Sequence, residues 1–279
     1  MSASLNSVAV TLFDSEVKHS YQNGRLLREA VRVKNQVVGD TTKFRKMGKG
    51  LATQRTAPSA DAVPMNVAHS LVTCVLTDWN APEYTDIFDK ATVNFDEVRE
   101  LAQTITSALG RREDQLIIDV LDAASPGTSI ANGNTGLSVA KIIQAASALT
   151  KQGVPSKDRY AVVTADGLAD LLSEEKVGSS DYNNVKALVQ GEINTFMGFK
   201  FIVVEDRDEG GLTVSADDIV DSYFFHKTAV AVAIGMDIST KVDWSTDKDS
   251  WKSTGYLKAG ACVIDENGIV KVSYDNTPD

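Results

Sequence analysis

The chain has 279 residues, 43% of them hydrophobic and 24% charged, and a net charge of −10. A chain of this length hides roughly three quarters of its surface on folding, which supports one large core or two smaller ones and excludes a small stapled scaffold. The acidic balance argues against a dedicated nucleic-acid binder, whose footprint is basic.

No eighteen apolar residues stand in a row, so no membrane partner is expected. The start, MSASLNSVAVTLFDSEV, has neither a basic lead nor a sustained apolar run, and the product is expected to stay in the cytoplasm where it is made. Residues 1–56 hold ten Lys or Arg against four acids, a net +6, which leaves −16 for the remainder. A basic arm on an acidic body can bind nucleic acid or the acidic body of the next copy. The arm lacks the interleaved aromatic residues of a single-strand binding surface, which favours the second.

In chain order, VAVTLF offers a short strand, and residues 14–30 mix helix formers around Asn23-Gly24, as in a short or broken helix. VRVKNQVVGDTTKFRKMGKG then reads as a polar strand, residues 48–64 as an exposed tip, and MNVAHSLVTCVLTDW as a second strand. Residues 31–79 together describe a long two-stranded hairpin with neither face apolar enough for a core. Such a hairpin is marginal alone in water and needs something to lie across.

The stretch from Asn94 to Ala124 is the organising element. Phe95, Val98, Ala102, Ile105 and Leu109 fall on one face of a helix, with Asn94 and Glu97 as a capping pair and Pro126-Gly127 as the stop. Gly110 costs about 1 kcal/mol against alanine and adjoins a charged belt, Arg111, Arg112, Glu113 and Asp114. One long spine or two helices broken at Gly110 both fit.

SPGTSIANGNTG follows as a polar linker and the best internal boundary. LSVAKIIQAASALTKQGVP is a helix closed by Gly153 and Pro155, RYAVVTA a buried strand, and DGLADLLSEE a short helix. After a loop at 176–184, a turn at Met197-Gly198 leads into a strand, Lys200 to Glu205. DSYFFHKTAVAVAIGMDIST reads as one core strand. The final two strands are expected to pair through Asp265-Glu266-Asn267-Gly268, since Asn-Gly favours a tight hairpin.

No constellation for catalysis stands out. His19, His69 and His226 lie in separate elements without a second ligand at helical or strand spacing, so each reads as an ordinary polar residue. Lys46-Met47-Gly48-Lys49-Gly50 lacks the first glycine of a phosphate loop and the Ser or Thr after its lysine. Asp206, Asp208, Gly211 and Asp217 match parts of a calcium loop, but Gly210 fills its fifth position and a strand precedes it, which favours a solvated acidic turn. Cys74 and Cys262 each sit in a strand-like apolar run and read as buried free thiols. No cofactor, metal or catalytic residue is expected.

The order of arm, basic hairpin, spine helix and α/β region, with GLSVAKIIQAASALTKQGVPSKDRYAVVTADGLADLL, then GEINTFMGFKFIVVED and FFHKTAVAVAIG, resembles the major capsid protein of tailed bacteriophages. The resemblance covers nearly the whole chain and implies an α+β Hong Kong 97-like fold. It implies an N-arm at residues 1–30, an extended E-loop hairpin at 31–78, a P-domain with the spine helix at 79–125, a mixed α/β A-domain at 126–236, and return strands of the P-domain at 237–279. Such proteins tile as hexamers and pentamers into an icosahedral shell around phage DNA, with each E-loop over a neighbour.

Lys43, Phe44, Lys46, Lys49, Arg55, Arg111 and Arg112 are then the expected inter-subunit contacts. Expected partners are further copies, a separate scaffolding protein (few residues precede the hairpin), a portal protein at one vertex, and enclosed double-stranded DNA held without specific binding; the sequence leaves open whether a decoration protein binds. The expected location is the virion capsid, assembled in the host bacterial cytoplasm. Some relatives cross-link a hairpin lysine to an asparagine; no matching asparagine and acid are evident here. An encapsulin-like cargo compartment and a cytoplasmic α/β enzyme with scattered acids are the alternatives.

Overall fold

The computed structural model describes residues 24–55, 57–58, 61–86, 97–173, 195–204, 209–215 and 217–276. The VAVTLF strand, most of the 14–30 helix, His19, the Asn94 cap, the 176–184 loop and the Asp206 and Asp208 positions lie outside the described residues.

The periodicity that ends at Ile105 and Leu109 is realised in α1 (Glu97–Ala123), 27 residues that run unbroken through Gly110. At 1.5 Å per residue it is about 40 Å long. Its first half lies on a four-stranded sheet of order β1-β10-β11-β4, built from β1 (Arg32–Lys34), β4 (Thr77–Asp86), β10 (Val230–Ser245) and β11 (Ser250–Val263). Ile105 and Leu109 are buried there with Leu257 and Ala259. Gly255 lets the helix down onto β11, since a Cβ at that position would stand 2.3 Å from Ile105 Cγ2 and 2.7 Å from Leu109 Cδ1. The second half of α1 sends Ile117, Ile118 and Leu121 into the main core. One helix therefore fastens two layers together.

The main core sits on a six-stranded sheet of order β5-β12-β9-β6-β8-β7. Its strands are β5 (Thr128–Ile130), β6 (Arg159–Thr164), β7 (Thr195–Phe196), β8 (Phe199–Val204), β9 (Ile219–His226) and β12 (Ile269–Asp275). Phe199 and Phe201 meet the ring of Phe224 edge-on at 5.1 and 6.4 Å, the geometry aromatic quadrupoles prefer. Two helices pack on this sheet, α2 (Val139–Lys151) against β5 and β12, and α3 (Ala165–Ser173) against β6 and β8.

Ser138 caps α2 by accepting from the Lys141 N–H, and Gly153 at φ +77° ends it. The buried Lys141 ammonium donates to the carbonyls of Asn132, Thr135 and Gly136. Arg159 is likewise buried because its guanidinium donates to the carbonyls of Val154 and Pro155 and to Thr150 Oγ1. Both cations are hidden at tolerable cost because their donors are met.

Four elements differ from the sequence-based expectation. Residues 31–79 do not form one long hairpin. β1 pairs in parallel with β10, and Val33 packs toward the main core. The chain then turns through Gln36 (φ +56°) and Gly39 (φ +96°) before β2 (Thr41–Met47) pairs antiparallel with β3 (His69–Val75). The apolar run around FFHKTAVAVAIG divides at Lys227–Ala229 into β9 and β10, which lie in different sheets. β11 and β12 do not pair through Asp265–Gly268. Those residues form a 3₁₀ turn in which Asp265 accepts from the Asn267 N–H, because β11 is already bonded on both sides by β10 and β4 while β12 pairs with β9 and β5. The polar linker contains β5, whose β-branched Thr128 and Ile130 pair with Val270 and Val272 at the sheet edge.

Candidate assembly surfaces

The hairpin β2–β3 takes its character from the two-residue period of a strand. Thr42 and Phe44 point inward and are buried, while Thr41, Lys43, Arg45 and Met47 point outward. The register places Lys43 opposite Thr73, Arg45 opposite Leu71 and Thr41 opposite Val75. The outer face therefore alternates cations with large apolar groups. Leu71 and Val75 are each 58% exposed and Met47 is 66% exposed, and Leu51, Val63 and Met65 continue the exposure along the tip. Clustered apolar exposure of this kind is uncommon on a surface left open to water.

The inner face is seated on the hairpin's own chain. Phe44 and Cys74 are buried with Leu76, Ala231, Ala233, Cys262 and Ile264, and Arg32 and Lys34 hold their charges 5.7 and 5.6 Å from the Phe44 ring. Lys46 Nζ reaches Asp265 Oδ1 at 2.9 Å, and Lys49 Nζ donates to the Gln152 carbonyl at 3.0 Å. At the root, Lys258 pairs with Asp40 at 2.6 Å and with Asp78 at 3.3 Å.

Of the residues expected at contacts, Lys43 faces outward, Phe44 inward, and Lys46 and Lys49 engage this same chain. Arg55 lies exposed at the tip, its Nε donating to the Ala57 carbonyl. Arg111 and Arg112 are far from the hairpin's outer face in sequence and half-buried on α1. Arg112 stacks on Trp79 at 3.7 Å and pairs with Glu209 at 3.6 Å. Arg45 and Met47, by the alternation of TTKFRKM, and Leu71 and Val75 across the ladder share the outward face with Lys43.

A second feature joins the arm to the spine. Gly24 and Gly110 face one another where the chain crosses α1: a Cβ on Gly110 would stand 3.3 Å from Gly24 Cα and 3.3 Å from Arg25 N. Glycine at 110 thus serves close approach. Below the crossing, Asp114 accepts from the N–H groups of Leu26 and Leu27 at 3.0 Å each, and the buried Glu113 faces Arg25 at 3.2 Å and Arg28 at 3.6 Å. Both arginines also hold Asp237 on β10.

Burial pushes the Glu113 carboxyl above its ordinary range against the pull of Arg28 and Arg25. Burial also opposes the charge of Asp237, but hydrogen bonds from Arg28 and the Ile238 N–H, with the Arg25 charge, hold it down to about 2. Glu113 and Asp114 of the charged belt therefore anchor residues 25–28.

An open cleft of about 700 Å³ is lined by Thr128 and Ile130 of β5 and by Ile143, Ser147 and Lys151 of α2. Among the described residues, no cluster of three or more His, Cys, Asp or Glu is arranged to hold a metal.

Comparison with known proteins agrees with this architecture. The capsid of the cyanophage P-SCSP1u superposes with a TM-score of 0.75 at 16% identity, over 99% of this chain and 96% of that one. The head of Helicobacter pylori bacteriophage KHP40 gives 0.76 at 10% identity, over 99% and 98%. The acid-stable capsid of H. pylori bacteriophage KHP30 gives 0.77 at 10% identity, over 99% of each chain. The fold is Hong Kong 97-like. No curated protein matches in sequence. The profile of the phage capsid protein family matches residues 5–276, and the chain belongs to that family, a shell-forming structural protein of the virion.

Proposed function

We propose that the chain tiles as hexamers and pentamers into an icosahedral shell, assembled in the host bacterial cytoplasm around a separate scaffolding protein. A portal protein occupies one vertex, and double-stranded DNA is enclosed without specific contacts. In this reading residues 1–30 are the N-arm, 31–78 the E-loop, 79–125 and 237–279 the P-domain, and 126–236 the A-domain. The protein works through its interfaces and not through catalysis.

The outer face of β2–β3 carries the proposal. Lys43 and Arg45 alternate with Leu71, Val75 and Met47, all exposed on one chain, while residues 57–279 hold a net −16. A basic, apolar face suits the acidic body of a neighbour in a head-to-tail ring, which needs complementary and non-identical surfaces. An acidic body also suits a container that releases its DNA.

The double variant Lys43→Glu, Arg45→Glu tests this. Neither residue lines the chain's own core, so the helix content of the unassembled chain should stay as it is while rings and shells disappear from sedimentation and negative-stain images. Normal shells from the double variant would reject the docking.

A further inference from the structure

Cys74 and Cys262 belong to separate apolar runs, and the close passage of β3 over β11 brings them into one apolar cluster. β4 pairs with β11 so that Trp79 faces Leu257 and Thr77 faces Ala259. Past Thr77 that ladder ends, and β3, which pairs with β2 in a separate sheet, passes over the face of β11. The strands stay close there: a Cβ on Gly260 would stand 1.9 Å from the Val75 carbonyl oxygen. Both thiols are free and buried, in one apolar cluster beneath the hairpin.

We propose that Cys74 and Cys262 are a covalent cross-link site, which closes into an intrachain disulfide and fixes the root of the β2–β3 hairpin to β11 when the protein meets a small-molecule disulfide. This is read from one chain and stands apart from the shell reading. The Cys262 thiol donates to the Cys74 sulfur, which holds the Cys74 thiol below its ordinary range and pushes that of Cys262 up. In the closed root Cys74 is thus the more acidic of the two thiols.

Its thiolate attacks one sulfur of oxidised glutathione, expels one glutathione thiolate and becomes a mixed disulfide. Cys262 then attacks the Cys74 sulfur, gives its proton to solvent and expels the second glutathione. Two protein thiols are oxidised to one disulfide, and one glutathione disulfide is reduced to two thiols. Because both sulfurs are covered, exchange waits for the hairpin root to lift. A reducing cell interior keeps the pair open, and an oxidising exterior closes it.

The test uses the full chain, reduced, freed of reductant and treated with oxidised glutathione at mildly alkaline pH. It is then quenched in acid, unfolded and alkylated for intact-mass analysis. The expected product has neither cysteine alkylated, no retained glutathione, and monomer mobility on a non-reducing gel. Its melting midpoint lies above that of the reduced chain and returns on reduction. Cys262→Ser should stop at a glutathione adduct on Cys74. Two alkylatable thiols after treatment, glutathione adducts on wild type in place of a bridge, or covalent dimers would each overturn the proposal.

Discussion

Gly110→Ala decides between two accounts of the glycine in the spine. If Gly110 were only a tolerated break in an otherwise good helix, alanine would stabilise the chain by about 1 kcal/mol. The structure predicts otherwise. The new methyl would stand 3.2 Å from Arg25 Cγ, 3.3 Å from Arg25 N and 3.3 Å from Gly24 Cα, inside the usual 3.5–4.0 Å contact range of about one van der Waals well. Arg25 Cγ can swing away, but the backbone atoms cannot retreat freely. The next two N–H groups are pinned to Asp114 at 3.0 Å, and bonds of that type to a charged group are worth about 1.5–3 kcal/mol each.

Overpacking of about 1–3 kcal/mol set against the propensity gain leaves Gly110→Ala neutral to about 2 kcal/mol destabilising. Urea unfolding of the unassembled chain, followed by far-ultraviolet circular dichroism, measures this. In an Asp114→Ala background the arm is free to lift, and Gly110→Ala should then recover its gain of about 1 kcal/mol. A stabilisation of that size in the wild-type background would refute the close crossing.

Gly260→Ala places a methyl against the Val75 backbone, which cannot move without unseating β3; the melting midpoint should fall and trypsin should cut within residues 41–75. A variant that melts with the wild type would show that the strands are not in contact. Glu113→Gln addresses the arm anchor. Because burial raises the Glu113 carboxyl, the folded chain binds that proton more tightly than the unfolded chain, and stability is lost as pH rises through its folded pKa. The urea midpoint of the wild type should therefore lose more between about pH 5 and pH 8 than that of Glu113→Gln; equal slopes would contradict this. Asp237 works in the opposite sense, contributing above its unfolded value and failing as pH falls toward about 2.

What the sequence discloses here follows from how far each cause reaches. The spacing of Ile105 and Leu109, the Ser138 cap and the β-branched run Arg159–Thr164 are local, and they place α1, α2 and β6 near where they form. The division of β9 from β10 is not local. The run is apolar on both sides of Lys227, and only the partners, Phe225 facing Ile269 and Ala231 facing Cys262, assign its halves to different sheets. Asn267-Gly268 is a hairpin signal overruled because both edges of β11 are occupied.

Glu113 and Asp114 read only as part of a charged belt because the groups they meet, Arg25–Arg28 and Asp237, are distant in sequence. For the hairpin the alternation of TTKFRKM separates Phe44 from Lys43 and Arg45. Nothing in the composition shows that Lys46 and Lys49 turn to Asp265 and Gln152 of the same chain.

Electron cryo-microscopy of particles formed by the full chain bears most directly on the central claim, that this is a shell protein whose hairpin docks on a neighbouring copy. Closed shells are expected, with Lys43, Arg45, Leu71 and Val75 covered by an acidic surface of an adjacent subunit. A chain that stays monomeric with its scaffold present, or shells in which that face remains open to solvent, would contradict it.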